Sequence, residues 1–408
     1  VIDHHESWIC CQLGAREHYA IPRALAARGR LELLITDIWL DQDHPFNLLP
    51  SAYLSSLRSR YHLEVPSERV KAFNQAQIAW EIFHRHYKAK EWELITARNL
   101  WWQKQVIKIL KKHQVREENI TLFAYSYGAL ELLTYAKSRG WKTVLGQIDP
   151  GIIEAQIIQQ EVAKYPQLSS STISSPDHQY WSNWQQECQL ADRIIVNSNW
   201  SQQALQQAGI DQHKINTIPL AYQAANRAKE FTRIYPSNFS LQRPLKVLFL
   251  GQVIIRKGIA AILEAITLLQ DYPIEFWFVG QVKVVLPIAF LTHPQIKWFG
   301  AIPRSHTDYY YQQADVFLFP THSDGFGLTQ LEAQAWKLPI IASQFCGAVV
   351  KEQNNGLILP QITGKAIAET LIFCLQNPQE LTKFSSNSTQ VLSGFTLSKL
   401  AQKITTIN

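Results

Sequence analysis

The run "LKVLFLG" (Leu245–Gly251) constrains this chain more than any other stretch. A half-buried strand alternates apolar and polar residues. A near-continuous apolar run ending in glycine suits a strand covered on both faces, as in a parallel sheet with helices on either side. The residues behind it, "GIAAILEAITLLQ", place apolar side chains at helical spacing. "IEFWFVG" (Ile274–Gly280), "IKWFG" (Ile296–Gly300), "DVFLFP" (Asp315–Pro320) and "LPIIAS" (Leu338–Ser343) continue the pattern. Strand and helix alternating this often predict an α/β fold with a doubly wound parallel sheet.

The first half repeats the pattern less clearly. "ESWICCQLG" ends at Gly14 and leads into a helix containing "HYAIPRALAARG", which would make His18 a helix residue. "ENITLFAYSYG", "WKTVLGQID" and "DRIIVNS" are further strand candidates. At 408 residues the chain exceeds one ordinary core, so two domains are expected. The stretch Tyr222–Pro244 lacks periodicity and marks the boundary. The expected division is a Rossmann-like domain over residues 1–222, a linker over 223–243, a second Rossmann-like domain over 244–375, and a helical segment over 376–408 that crosses back to the first domain. Ligands of open α/β sheets bind beyond the carboxyl ends of the strands, so two facing sheets would line a cleft with strand-end loops.

Apolar residues make up 46% of the chain and charged residues 18%, which describes a folded soluble protein. The net charge of +6 is spread along the chain rather than gathered in a basic stripe, so nucleic acid is not an expected partner. An anionic ligand or an acidic membrane surface fits that charge equally well. Cys10, Cys11, Cys188, Cys346 and Cys374 show neither paired nor metal-type spacing, and a reducing cytoplasm is the simplest compartment. No apolar run reaches the roughly 18 residues needed to span a bilayer, and the first residues lack a signal-peptide layout.

Two strand ends carry chemistry. After "VLFLG", the turn "GQVIIRKG" places Arg256 and Lys257 before Gly258 at the start of a helix. Two cations beside free backbone N–H groups suit a phosphate; a solvated pair on a loop is the plainer reading. After "DVFLFP", the stretch "HSDGFGLTQLEAQAWK" sets Gly325-Phe326-Gly327 between Asp324 and Glu332, with a helix starting near Leu328. The glycines allow backbone N–H groups to approach a ligand, and Glu332, about one turn into the helix, is placed for a ribose diol. Alternatively Asp324 caps the helix and Glu332 lies on its surface.

In this order and spacing the motifs resemble a retaining glycosyltransferase of the GT-B fold, family 4 (glycosyl transferases group 1). Its pattern is an acid, Gly-Phe-Gly, and a glutamate eight residues after the acid, here within "QQADVFLFPTHSDGFGLTQLEAQAWKLPIIAS". "GQVIIRKGI" resembles the family's phosphate-lysine turn, and "IKWFGAIPRSHTDYYYQQAD" its approach to the glycine loop. "ADRIIVNSNWSQQALQQAGIDQHKINTIPLAY" matches the end of the N-terminal domain, and "GAREHYAIPRAL" its opening glycine loop.

The resemblance implies two Rossmann-like domains facing a cleft, the first binding acceptor and the second a nucleotide sugar. It implies transfer of a sugar from a nucleoside diphosphate sugar to a hydroxyl acceptor (saccharide, lipid-linked or small molecule) in the cytoplasm or at the inner membrane face, with no metal and no cofactor beyond the co-substrate. Lys257, with Arg256, would stabilise the departing phosphate beside Gly251 and Gln252. Asp324 and the backbone of Gly325, Phe326 and Gly327 would hold the sugar, Leu328 and Thr329 would offer N–H groups to phosphate, and Glu332 would take the ribose. On the acceptor side, Gly14, Ala15 and Arg16 face the cleft, and Arg16 is a partner for an anionic acceptor. Three departures stand out: Gln252 replaces a common arginine, Asp324 replaces the more frequent glutamate, and the usual histidine after a middle strand gives way to "LGQIDPG". Its one ionisable residue, Asp149, either bonds the donor sugar or acceptor hydroxyl or is a turn residue before Pro150. An epimerase of the same fold and a non-catalytic nucleotide-sugar binder remain open alternatives.

Other candidates carry plainer explanations. "DQD" (Asp41–Asp43) has metal-type acid spacing but lies in a polar loop, and His4, His5, His84 and His86 lack partners at ligand spacing. "RNLWWQKQVIKILKKH" (Arg98–His113) is amphipathic; it either packs its apolar stripe on the sheet or docks on a membrane surface. Trp181 and Trp184 stand at helical spacing and read as core, with sugar stacking as the other option.

Overall fold

The computed structural model describes residues 6–41, 60–84, 91–113, 119–169 and 176–407. Two parallel sheets form the frame. The first contains β1 (Ser7–Gln12), β2 (Leu31–Thr36), β3 (Val70–Ala72), β4 (Ile120–Tyr125), β5 (Lys142–Gly146), β6 (Arg193–Val196) and β7 (Ile215–Thr217) in the order β3-β2-β1-β4-β5-β6-β7. The second contains β8 (Leu245–Leu250), β9 (Ile274–Val279), β10 (Ile296–Gly300), β11 (Val316–Phe319), β12 (Ile340–Ala342) and β13 (Gly356–Ile358) in the order β10-β9-β8-β11-β12-β13. Strand order reverses between β1 and β4 and again between β8 and β11. A ligand crevice opens at such reversals.

Burial explains why these runs are strands. Neighbouring Cys10 and Cys11 of β1 are both fully buried, Cys10 in the core on one face of the sheet and Cys11 in that on the other. On β8, Val247 and Phe249 face one core and Leu248 the opposite one. All five cysteines are buried free thiols. The three-residue strands β3, β7 and β13 escape sequence reading because they hold too little periodicity, whereas equally short β12 is legible through the apolar run "LPIIA" around it.

The helix Glu91–Lys112 buries Trp102, Val106 and Leu110 in the N-terminal core. Its apolar stripe therefore covers the sheet, which removes the ground for docking that face on a membrane. Trp184 is likewise core, and its indole N–H donates to Gln147 Oε1 at 2.9 Å. No helix among the described residues is long and apolar enough to cross a membrane. Asp43, His4, His5 and His86 lie outside the described residues.

The chain after β13 ties the two domains together. Tyr222 N–H donates to the Phe395 carbonyl at 2.7 Å. The helix Leu397–Ile404 then places Leu400, Ala401 and Ile404 in one core with Ile21, Ala24 and Leu25 of the helix Ala20–Ala26. One expectation fails at the start of that region. The helix begins only at Ala20, because Glu17, His18 and Tyr19 take left-handed backbone angles (φ 52, 52 and 58). His18 thus sits in a tight turn. Such angles are rare away from glycine and mark a loop over-determined by its surroundings.

The helix Asn199–Gln207, which reaches the interdomain cleft, depends on a local cap. Buried Ser198 Oγ accepts from Ser201 N–H at 3.0 Å. Ser198→Ala is expected to cost about 1 kcal/mol of stability, read as a lower denaturant midpoint at unchanged slope.

Candidate functional site

The β8 side of the C-terminal crevice is built on glycines. Gly251 and Gly280 end β8 and β9 with φ of 148 and 145, and a Cβ on Gly280 would lie 1.9 Å from the Gly251 carbonyl oxygen. The turn Ile255–Lys257 follows, and Gly258 (φ 77) leads into the helix Ile259–Leu268. A Cβ on Gly258 would meet the Pro320 carbonyl oxygen at 2.0 Å, so the Arg256-Lys257 turn is pressed against the end of β11. His322 N–H donates to the Arg256 carbonyl at 2.8 Å and fixes this contact. Gln252 is exposed.

Both cations meet the glycine loop. Arg256 Nη1 donates to the Ser323 carbonyl at 2.8 Å and lies 3.6 Å from Asp324 Oδ2. Lys257 Nζ contacts the Asp324 carboxylate directly and stands 4.6 Å from the centre of the Phe319 ring. Loss of water, followed by repulsion from Arg256, pushes the Lys257 ammonium down to about 7, while Glu154 pulls it up. The touching Asp324 carboxylate also favours the charged form.

Asp324 does not cap the following helix. Its Oδ1 accepts from Phe326 N–H at 3.3 Å, closing a local turn, while the helix runs from Thr329 to Ala335 with Leu328 in front of it. Gly327 (φ 80) lies so close to the Phe319 ring that a Cβ would sit 2.6 Å from it. Glu332 is not a free surface residue: Arg304 Nη2 and the Tyr311 hydroxyl each donate to it at 2.9 Å. Tyr311 is buried and Arg304 largely exposed. A diol reaching Glu332 would therefore compete with the weakly held arginine.

The N-terminal domain closes directly on this loop. A Cβ on Gly325 would lie 2.3 Å from the Ile148 carbonyl oxygen. Ser201 Oγ donates to the Gly325 carbonyl at 3.3 Å, and the Trp200 indole N–H donates to Ser323 Oγ at 3.0 Å. Ser323 Oγ in turn donates to Glu154 Oε2 at 2.8 Å, and Arg256 Nη1 lies 3.5 Å from the same oxygen. Burial raises the Glu154 carboxyl above the ordinary range; nearby Asp149 adds to this, while Arg256, the Ser323 hydrogen bond and Lys257 oppose it. Farther along the same helix, Glu161 Oε2 lies 3.5 Å from His322 Nε2.

Asp149 displays its turn role plainly. Its Oδ1 accepts from the Tyr127 hydroxyl (2.5 Å), Gln147 Nε2 (3.0 Å) and Gly151 N–H (2.9 Å). It also lines a cavity of about 450 Å³ at the β1/β4 crevice, together with Gly14, Arg16, Asp37, Arg60 and Arg98. Gly14 (φ 76) donates its N–H to Asp37 Oδ1 at 2.9 Å, and Arg60 pairs with Asp37 at 2.6 Å. The Arg16 guanidinium lies 5.7 Å from the Tyr125 ring centre, and Ala15 packs half-buried against the N-terminal core.

Residues 231–391, which hold the whole C-terminal crevice, match the family model described as glycosyl transferases group 1. This stretch is similar to the group 1 glycosyltransferase domain over about two fifths of the chain. The fold around it is that of GT-B enzymes. It matches sucrose-phosphate synthase from Thermosynechococcus elongatus with a TM-score of 0.65, at 17% identity over 98% of this chain and 97% of that one. The Anabaena protein HepE in complex with UDP-glucose matches with a TM-score of 0.60, at 16% identity over 98% of each chain. Identities this low show shared fold alone. By sequence, the chain is similar to the Staphylococcus aureus capsular polysaccharide glycosyltransferase CapM, at 29% identity over 30% of this chain and 34% of CapM. A D-inositol 3-phosphate glycosyltransferase from Kineococcus radiotolerans is 26% identical over 52% of this chain and 55% of its own length.

Within the matched stretch, Arg256, Lys257 and the Asp324–Gly327 loop converge on one crevice, and Glu332 lies one helical turn behind the loop. Sequence reading missed the partners. Arg304 and Tyr311 sit in the quoted approach to the loop, and Trp200 and Ser201 in the quoted end of the N-terminal domain; nothing in their local pattern set them apart. Glu154 carried a usable signal, as an acid in the first turn of a helix that directly follows a strand end.

Proposed function

We propose that this chain is a retaining, family 4 glycosyltransferase that moves a sugar from a nucleoside diphosphate sugar to a hydroxyl acceptor without a metal. The observation that carries this reading is the convergence of Arg256 and Lys257 on Asp324 in the β8/β11 crevice, directly opposite Asp149 and Glu154. An arriving diphosphate competes with Asp324 for the Lys257 ammonium. Once displaced, the Asp324 carboxylate is available to sugar hydroxyls, while the two cations neutralise charge building on the leaving phosphate. Attack proceeds on the face the diphosphate leaves, with the departing phosphate taking the acceptor proton. Glu332 receives the ribose in place of Arg304, and residues 244–375 act as the donor domain and 1–222 as the acceptor domain. The names of the relatives and neighbours make UDP-glucose the first donor to try and polysaccharide or small-glycoside synthesis the setting.

The test is the anomeric configuration of the product, read by proton NMR during incubation with UDP-, GDP- and ADP-sugars and an acceptor pool. Retention supports the reading, and an inverted anomer removes its mechanism. A separate outcome concerns Lys257. Because its free ammonium is pushed down to about 7, binding a diphosphate above that pH requires proton uptake. Nucleoside diphosphate affinity is expected to fall with rising pH as the ammonium loses its proton, in a range that contact with Asp324 moves upward. Lys257→Arg, charged throughout, should flatten that slope in calorimetric titrations.

A further inference from the structure

A second cavity, of about 300 Å³, opens between the domains beside the ends of β12 and β13. The helix Asn199–Gln207 supplies Asn199, Trp200 and Gln203 from one domain, and the loop after β12 supplies Gln344 and Phe345 from the other. Arg256, Lys257, Asp324 and Glu332 do not line it, so it is separate from the crevice where the two cations meet the glycine loop. It nonetheless shares a wall with that loop. Asp324 N–H donates to the Phe345 carbonyl at 2.9 Å, and Gly347 N–H donates to the Phe326 carbonyl at 2.8 Å. A Cβ on Gly347 would lie 2.5 Å from the Phe326 ring, so the two loops are closely packed. From the N-terminal side, the Trp200 indole is fixed by its hydrogen bond to Ser323 Oγ.

The lining selects a class of ligand. Among the described residues it carries no charged side chain. A phosphate or carboxylate seated there would lose water without gaining a counter-ion, which is costly. Trp200 and Phe345, edge to face at 5.0 Å and each half-buried, present aromatic surface. Around them stand the exposed amides of Asn199, Gln203 and Gln344, whose side chains make no hydrogen bond among the described residues. Asn199 and Gln203 are one helical turn apart and so share a face. A side-chain amide offers both donors and an acceptor, which matches neighbouring hydroxyl groups. Aromatic rings take the apolar C–H surface between such hydroxyls. That combination describes a sugar ring, whereas an acyl chain would strip water from the amides and pair none of them. Ligand pockets run from roughly 300 to 1,000 Å³, so a space at the low end suits one or two rings and not a nucleotide.

We propose that this cavity binds a neutral saccharide that bridges the two domains, at a site separate from the crevice of Arg256 and Lys257. Asn199, Gln203 and Gln344 exchange hydrogen bonds with its hydroxyls, and Trp200 and Phe345 cover its C–H face. Because these contacts come from both domains, the sugar binds the closed arrangement better than an opened one and favours it by that difference. The site goes beyond the glycosyltransferase reading and does not depend on it: a chain with no transferase activity would still bind sugar there.

The test is amide hydrogen exchange of the full chain on adding glucose, galactose, N-acetylglucosamine or sucrose, with and without UDP. At least one of these sugars should slow exchange in residues 199–203 and 343–347 together, whether or not UDP is present. Its calorimetric affinity should then fall about tenfold or more in the double variant Gln203→Ala, Gln344→Ala, as expected for two lost hydrogen bonds. Both side chains are exposed and hold no protein contact, so folding and UDP affinity should be unchanged in that variant. Phe345→Leu should also weaken the sugar, by removing aromatic surface while keeping an apolar side chain. Protection by none of the four sugars, protection confined to one domain, or an affinity unchanged in the double variant overturns the proposal. Tighter binding of uridine or glucose 6-phosphate than of every neutral sugar, lost in the double variant, overturns the assigned class of ligand. Sugar binding without any UDP binding supports this site and counts against the glycosyltransferase reading alone.

Discussion

Lys257→Ala is expected to lower turnover by about 10²–10³, the usual cost of removing one preorganised charge donor from a developing oxyanion. The magnitude follows from placement. The ammonium is largely buried, touches Asp324 and has the Phe319 ring at 4.6 Å, so its charge acts in a medium that screens it weakly. Arg256 lies 3.6 Å from the same carboxylate and covers part of the loss. The substitution also leaves Asp324 bound to one cation rather than two, so its thermal midpoint belongs beside the rate. Donor affinity should drop more for a nucleoside diphosphate than for the nucleoside. Turnover equal to that of the parent chain would remove Lys257 from the phosphate site.

Gly325→Ala should lower turnover by about 10² while the protein remains folded, since misplacing reacting groups by an ångström costs that order. The backbone at Gly325 is not in the left-handed region, so alanine is conformationally acceptable there. The obstacle lies in the other domain, where the Ile148 carbonyl oxygen would stand 2.3 Å from the new Cβ and Asn197 Nδ2 3.2 Å from it. The loop must retreat from the N-terminal domain, stretching the Ser201 and Trp200 contacts. Nucleoside diphosphate affinity should change little, because Arg256 and Lys257 approach the crevice from the β8 side. A variant that turns over normally would show that this closed contact is not the reacting arrangement.

These two residues were legible in sequence for a common reason: each belongs to a short motif whose parts are local. The "RKG" turn follows a doubly buried strand, and Gly-Phe-Gly follows another, so strand ends could be found from apolar runs and the motifs attached to them. The β2 strand "LELLIT" was equally apolar, and Asp37 at its end now anchors Arg60 and Gly14, yet no glycine turn drew notice to it. What stayed hidden depends on chain separation. Glu154 meets Ser323 across 169 positions. Arg98 enters the β1/β4 cavity from a helix whose amphipathic pattern describes only its packing. His18 and Tyr19 read as helix because they have ordinary helical propensity; tertiary contacts override that preference.

The role of Asp324 also becomes sharper. It could have been a helix cap, but its side chain closes a turn ahead of the helix and binds the cation that a diphosphate would claim. A carboxylate one methylene longer would place its charge differently against Lys257, so this position couples the resting ion pair to the geometry offered to a sugar.

The most direct test of the central claim is the appearance of free nucleoside diphosphate from UDP-glucose or another nucleotide sugar, followed with and without an acceptor pool that includes anionic sugars. Release that depends on acceptor, and that falls in Lys257→Ala, is the predicted result. Conversion of the nucleotide sugar without release of nucleoside diphosphate, or tight binding with no release under any acceptor, would contradict it.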